Sequence, residues 1–200
     1  MKKLLGIVVL SLFLITPSQA DDIRDFQIEG MSIGDSLKKH FSNEKIKNFL
    51  EMKNAINYYP GSKKFFSLGT FTDEDNKIYD QIIYGLKKSD SKYIIYSLSG
   101  YSRMDYQKCL DESKSIFSEI KQLFDSENFE QQSYEKEHEM DPSEKSRMYS
   151  HDIDFSDGNV VRIICVNWSQ EFEADEYTDS LSVTINSKVW ADWIQNEAYK

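Results

Sequence analysis

Tyr149-Ser150-His151-Asp152-Ile153-Asp154-Phe155-Ser156-Asp157-Gly158-Asn159-Val160-Val161-Arg162-Ile163-Ile164-Cys165 is the stretch on which the fold turns. Tyr149, His151, Ile153 and Phe155 alternate with Ser150, Asp152 and Asp154, the period of a strand with one face wet and one face dry. Ser156-Asp157-Gly158 suits a three-residue hairpin loop, with Gly158 in the left-handed conformation that makes a bulge. That loop sets the register of the returning strand. Val161, Ile163 and Cys165 then share a face with Phe155, Ile153 and His151. An antiparallel sheet is implied.

Working outward, Leu181-Ser182-Val183-Thr184-Ile185 reads as a further strand, and Ser187 as the cap of a closing helix carrying Val189, Trp190, Trp193 and Ile194. Upstream, the apolar positions Tyr106, Cys109, Leu110, Ile116, Phe117, Ile120, Leu123 and Phe124 keep a helical period over about Asp105 to Phe124. Between that helix and the hairpin lies 126–145, where Glu127, Glu130, Glu135, Glu137, Glu139, Asp141 and Glu144 crowd a stretch almost without aliphatic residues. Its composition predicts a solvated excursion or mobile loop. Before the helix, Phe65 to Phe71 alternates, and Ile78 to Lys87 and Lys92 to Tyr101 flank the polar turn Lys88-Ser89-Asp90-Ser91 as a second hairpin. Leu37 and Phe41, then Ile46, Phe49 and Leu50 behind the cap Ser42, give short helices, preceded by a short alternating segment Asp21–Glu29. The expected order is α-βββ-α-βββ-α, an α+β domain with an antiparallel sheet of about six strands covered by helices on one face. A weak duplication of a helix-plus-three-strands unit is compatible with that order.

Residues 1–20 have another character. Lys2 and Lys3 precede the apolar run Leu4–Ile15, and Pro17, Ser18, Gln19 and Ala20 follow. Small side chains at Ser18 and Ala20 fit the signal-peptidase pockets, so cleavage after Ala20 and a periplasmic or secreted product are expected. The run is too short to span a bilayer, and with no cysteine just after it a lipid anchor is not expected. One domain over 21–200 is the expected organisation. The chain carries 24 Lys and Arg against 34 Asp and Glu, a net charge of −10, and loss of Lys2 and Lys3 takes it to −12. Such a field repels phosphate backbones and anionic headgroups, which argues against nucleic acid and membrane-surface partners.

The two cysteines both fall on predicted core faces: Cys109 on the long helix, Cys165 on a central strand. In an exported chain that pattern predicts a structural disulfide, against the alternative of two buried thiols. No Cys-x-x-Cys spacing suggests redox chemistry.

Other candidates are weaker. Gly30-Met31-Ser32-Ile33-Gly34 matches the G-x-S-x-G nucleophile elbow, but that elbow needs a parallel sheet laid down before it. A partner base for Ser32 would have to be His40, His138 or His151. The competing reading is a glycine-punctuated turn into a helix capped by Asp35 or Ser36. His151, Asp152, Asp154 and Asp157 resemble a metal cluster, yet the run is out of register with a calcium loop. Glu171, Glu173, Asp175, Glu176 and Asp179 read as an acidic loop. Asn167-Trp168-Ser169 is a bare glycosylation pattern. Trp190 and Trp193 could stack on a sugar or peptide, but at helical spacing they read as core. No cofactor is implied.

Ile23 to Leu37, Tyr93 to Gly100, the Cys109 helix and Leu181 to Ile185 together resemble a family of small exported proteins from marine bacteria. That resemblance implies export; the family has no assigned activity, so no function carries over from it. The glycine-serine turn into a helix is also similar to that of small envelope domains that bind other proteins. The functional expectation is a non-enzymatic binding or accessory module acting through its sheet face or acidic loops, with an envelope protein or small ligand as partner. A serine hydrolase using Ser32 and a small-molecule carrier are the alternatives.

Overall fold

The computed structural model describes residues 23–72, 78–124, 129–173 and 177–200. The expected leader, together with Glu127, Asp175 and Glu176, lies outside them. Among the described residues eight strands run β1 Ile56–Tyr58, β2 Phe65–Phe71, β3 Gln81–Lys87, β4 Ile95–Arg103, β5 Phe129–Glu137, β6 Arg147–Phe155, β7 Val160–Asn167 and β8 Ser180–Asn186. The helices are α1 Asn43–Glu51, α2 Tyr106–Leu123, the single turn α3 Gln170–Glu173, and α4 Lys188–Asn196. All strands join one antiparallel sheet in the order β1-β2-β3-β4-β8-β7-β6-β5.

The deciding hairpin folds as its sequence requires. Ile153 faces Val161 and His151 faces Ile163 across β6 and β7. The chain reverses through Ser156-Asp157-Gly158, closed by Gly158 N–H donating to Phe155 O at 2.8 Å, with Gly158 at φ +87°. A residue with a β-carbon is strained at that φ.

The expected α+β antiparallel architecture holds, but two strands were missed. β5 lies within the stretch expected to be a loop, and β1 is a three-residue strand at the opposite edge. Both are edge strands. β5 packs little on either side, so its sequence Phe129-Glu130-Gln131-Gln132-Ser133-Tyr134-Glu135-Lys136-Glu137 carries few of the apolar residues by which strands are recognised. Charged edges also discourage pairing with other chains. Each half is therefore a helix followed by four strands, and the halves meet where β4 pairs with β8. The segment at Ile23–Glu29 is not a strand. It holds a 3-10 turn at Ile23–Asp25 and a lone bridge between Ile28 and Met31.

One face of the sheet holds the main core. Leu68, Tyr84, Leu98, Ile185, Val161 and Ile153 stand opposite one another in a single cross-strand row, each at most 1 % exposed. α1, α2 and the segment from Ile23 to Leu37 cover that face. α2 starts at Asp105, whose carboxylate accepts Lys108 N–H at 3.2 Å, and buries Cys109, Ser113 and Ile120. Cys109 and Cys165 form the predicted disulfide, with Cα atoms 5.8 Å apart, and fasten α2 to β7. Among the described residues no helix is long and apolar enough to cross a membrane.

The expectation of helices on one face fails at α4, which packs on the other. Trp190 and Trp193 are 4 % and 1 % exposed, sealed against Phe65 at 5.6 and 5.0 Å between ring centroids. They are core, as their spacing suggested, but the core of a second cluster. Gly85 makes this possible, because a β-carbon there would sit 2.7 Å from the Trp190 ring. At roughly 25 cal/mol per Å2, an indole burying about 200 Å2 contributes on the order of 5 kcal/mol before entropy, so the docking is strong.

Candidate active face of the sheet

Alternation sends every second residue of each strand to the face that α1 and α2 leave bare. Across it runs the row Gly69, Ile83, Ser99, Thr184, Arg162, Asp152 and Gln132. The neighbouring row is Phe71, Gln81, Tyr101, Ser182, Ile164, Ser150 and Tyr134. The middle strands β4 and β8 supply mostly hydroxyls where a merely solvated face usually carries Lys and Glu. Ser97 Oγ donates to Asn186 Oδ1 at 2.6 Å, and Ser99 and Thr184 share a hydrogen bond of 2.8 Å. A hydroxyl has one donor and two acceptor positions, so each keeps capacity for a ligand.

Two walls turn this floor into a trough. The first is α4 with Tyr59, whose hydroxyl shares a 2.9 Å hydrogen bond with Ser67. Beneath it lies a cavity of about 450 Å3 lined by uncharged residues, among them Asn57, Ser67, Gln81, Ser99, Thr184 and Trp190. The second wall is an aromatic cluster at the far end of β4 and β8. Trp168 stacks on Phe172 at 5.3 Å, and the rings of Tyr177 and His138 lie 4.7 and 4.3 Å from it. A second cavity of about 450 Å3 opens here between Trp168, Tyr177, Tyr101, Met148, Ile164 and Arg103.

The second wall is pinned by buried polar groups. Asp141 accepts the N–H and Oγ–H of Ser143 at 2.8 and 2.6 Å and those of Ser146 at 2.9 and 2.6 Å. These bonds hold its carboxyl well below the usual carboxylate range. Ser146 Oγ in turn accepts Ser169 N–H at 2.9 Å, and Asp179 accepts Trp168 N–H at 2.8 Å. The ring of Trp168 is thus aimed by its backbone. Burial lowers the pKa of His138, keeping the imidazole neutral near pH 7.

The candidates raised by the sequence are scattered. Ser32 is 4 % exposed and its hydroxyl donates to Phe26 O at 2.9 Å, locking a turn. His40 Nε2 lies 3.3 Å from Asp35, His138 stands in the aromatic wall, and His151 is in the main core. His151 stacks on Phe117 at 4.3 Å and bonds Ser133 through Nδ1 at 2.6 Å. Asp152 points to the opposite face, where it accepts from Ser150 and Tyr134 and meets Arg162 Nε at 3.6 Å. Asp154 is exposed, and Asp157 accepts Asn159 N–H at 2.9 Å in the hairpin loop. Glu171 pairs with Lys145 at 2.7 Å. Among the described residues no group of three His, Cys, Asp or Glu is placed to hold a metal ion.

The chain matches no family model, no curated protein and no solved structure.

Sequence reading missed Ser99, Thr184, Arg103 and Tyr177 as site residues and met Trp168 only inside a glycosylation pattern. One signal was available. Ser97, Ser99, Ser180, Ser182 and Thr184 put small hydroxyls on the outer side of two strands in a chain otherwise rich in Lys and Glu.

Proposed function

We propose that this chain is an exported binding module that seats a second protein across the bare face of its sheet. The observation that carries this reading is the hydroxyl-floored trough with an aromatic wall at each end. The surface open to a partner is the floor left between α4 and the Trp168 cluster. Interfaces favour fully packed aromatic anchors over charge, and Trp168, Tyr177 and Tyr59 flank a floor whose middle strands carry no charge on this face except Arg103 at one end. The partner matching this surface presents a protruding, neutral loop rich in hydroxyl and amide groups. The Lys2-Lys3 leader with its apolar run and the Cys109–Cys165 bridge support a periplasmic or secreted setting.

The test is capture from envelope extract by the disulfide-bonded protein, with Ser99→Arg as the paired control. One stoichiometric species, identified by mass spectrometry, should be held by the wild type and released by Ser99→Arg. Equal retention by both, or no stoichiometric species at all, rejects the reading. The uncharged 450 Å3 cavity beneath α4 supports a second reading, a small-molecule carrier, for which native mass spectrometry should show a retained mass.

A further inference from the structure

The cavity at the second wall has a chemistry unlike the rest of the face. Its lining is mostly aromatic and aliphatic, from Trp168, Tyr177, Tyr101, Met148 and Ile164, with the hydroxyls of Thr178, Ser180 and Ser182 at its margin, and its one charged side chain is Arg103. The chain has four arginines, and two others are spent: Arg147 on Glu135 and Glu137, Arg162 on Asp152. The Arg103 guanidinium has no ion-pair partner among the described residues, although it sits in an acidic protein. Three carboxylates close to it along the chain or across the sheet are committed to backbone amides. Asp80 accepts Arg103 N–H at 2.7 Å, Asp105 caps α2 through Lys108 N–H, and Asp179 holds Trp168 N–H. An available fork of N–H donors beside an apolar slot of about 450 Å3 matches a carboxylate carried on an apolar body.

We infer that this cavity is a binding site for small aromatic carboxylates, with the ring lodged between Trp168 and Ile164 and the carboxylate on Arg103. The ring displaces water from an apolar slot and gains edge or face contacts with Trp168 and Tyr177. The carboxylate accepts two N–H bonds from the guanidinium, which a neutral amide cannot match in charge. His138, neutral through burial, adds no competing positive charge at the wall. The site stands whether or not a protein covers the remainder of the face.

The test is titration of the 15N-labelled, disulfide-bonded protein with 3-phenylpropionate and, separately, with 3-phenylpropanamide and propionate. The acid should shift the Trp168 indole and Arg103 Nε resonances and bind about tenfold more tightly than the amide, a ratio in the range of one charge-assisted bond. Propionate, lacking the ring, should not saturate. Arg103→Gln should bring the acid to the affinity of the amide and leave the amide unchanged. Ile164→Phe, which fills the slot, should abolish both while leaving the remaining resonances in place. Equal affinity of acid and amide, an Arg103→Gln protein that still prefers the acid, or shifts that map beneath α4 instead would overturn the proposal.

Discussion

Removing the bridge between Cys109 and Cys165 should cost this protein much of its thermal margin. Both residues are fully buried, and the link closes a loop of 56 residues. In the chain-entropy account, a loop of that length removes enough freedom from the unfolded chain to contribute about 4 kcal/mol. At the 2–4 °C per kcal/mol usual for a chain of this size, the melting temperature should fall by about 8–16 °C. The assay is far-UV circular dichroism on oxidised wild type, on wild type unfolded and refolded in reductant, and on the Cys109→Ala/Cys165→Ala pair. Reduced wild type keeps the sulfur volume, so any extra loss in the alanine pair measures packing alone. Iodoacetamide should fail to label the native oxidised protein. If reduced and oxidised forms melt within about 2 °C of each other, the loop-entropy reasoning is wrong for this fold.

Three further outcomes are expected. Gly85→Ala places a β-carbon 2.7 Å from the Trp190 ring and 2.6 Å from Ser97 Cβ, so urea unfolding should show a loss of about 2 kcal/mol. His151 has its pKa lowered by burial, then by Lys114 and Lys121, so the folded state resists a proton that the unfolded state accepts. Stability should therefore be full above about pH 6.5 and decline as pH falls toward the depressed folded value, and His151→Phe should reduce that slope in denaturant titrations at pH 5–7. A fluorophosphonate probe should leave Ser32 unlabelled, because its hydroxyl is buried and given to Phe26 O. Labelling lost in Ser32→Ala would reinstate the hydrolase.

What could be read from the sequence was whatever local alternation and periodicity encode. The β6–β7 register followed from Gly158 and the Ile153 and Ile163 faces, and the α2 stripe followed from its apolar spacing. β5 escaped because an edge strand wet on both sides has no apolar face to betray it. Its identity comes from backbone pairing with β6, which side chains do not report. The placement of α4 escaped for a different reason. Trp190 and Trp193 declare a buried helix face, but only the smallness of Gly85, about a hundred residues away, decides which side of the sheet receives it. The trough was illegible because it is made of the strand residues that do not build the core. Ser99 and Thr184 become a floor only when β4 and β8 meet, and they lie 85 residues apart in the chain.

That central pairing also governs how the molecule comes into being. The strand that fills the middle of the sheet comes from far along the chain, so the flank of Ile95–Arg103 stays uncovered until residues 180–186 pair with it. Folding is then a late zip, slow in the way of contacts between distant residues. Deleting residues from 180 onward would not trim a border. It would split the protein down its midline and leave two incomplete halves, each with a sticky flank.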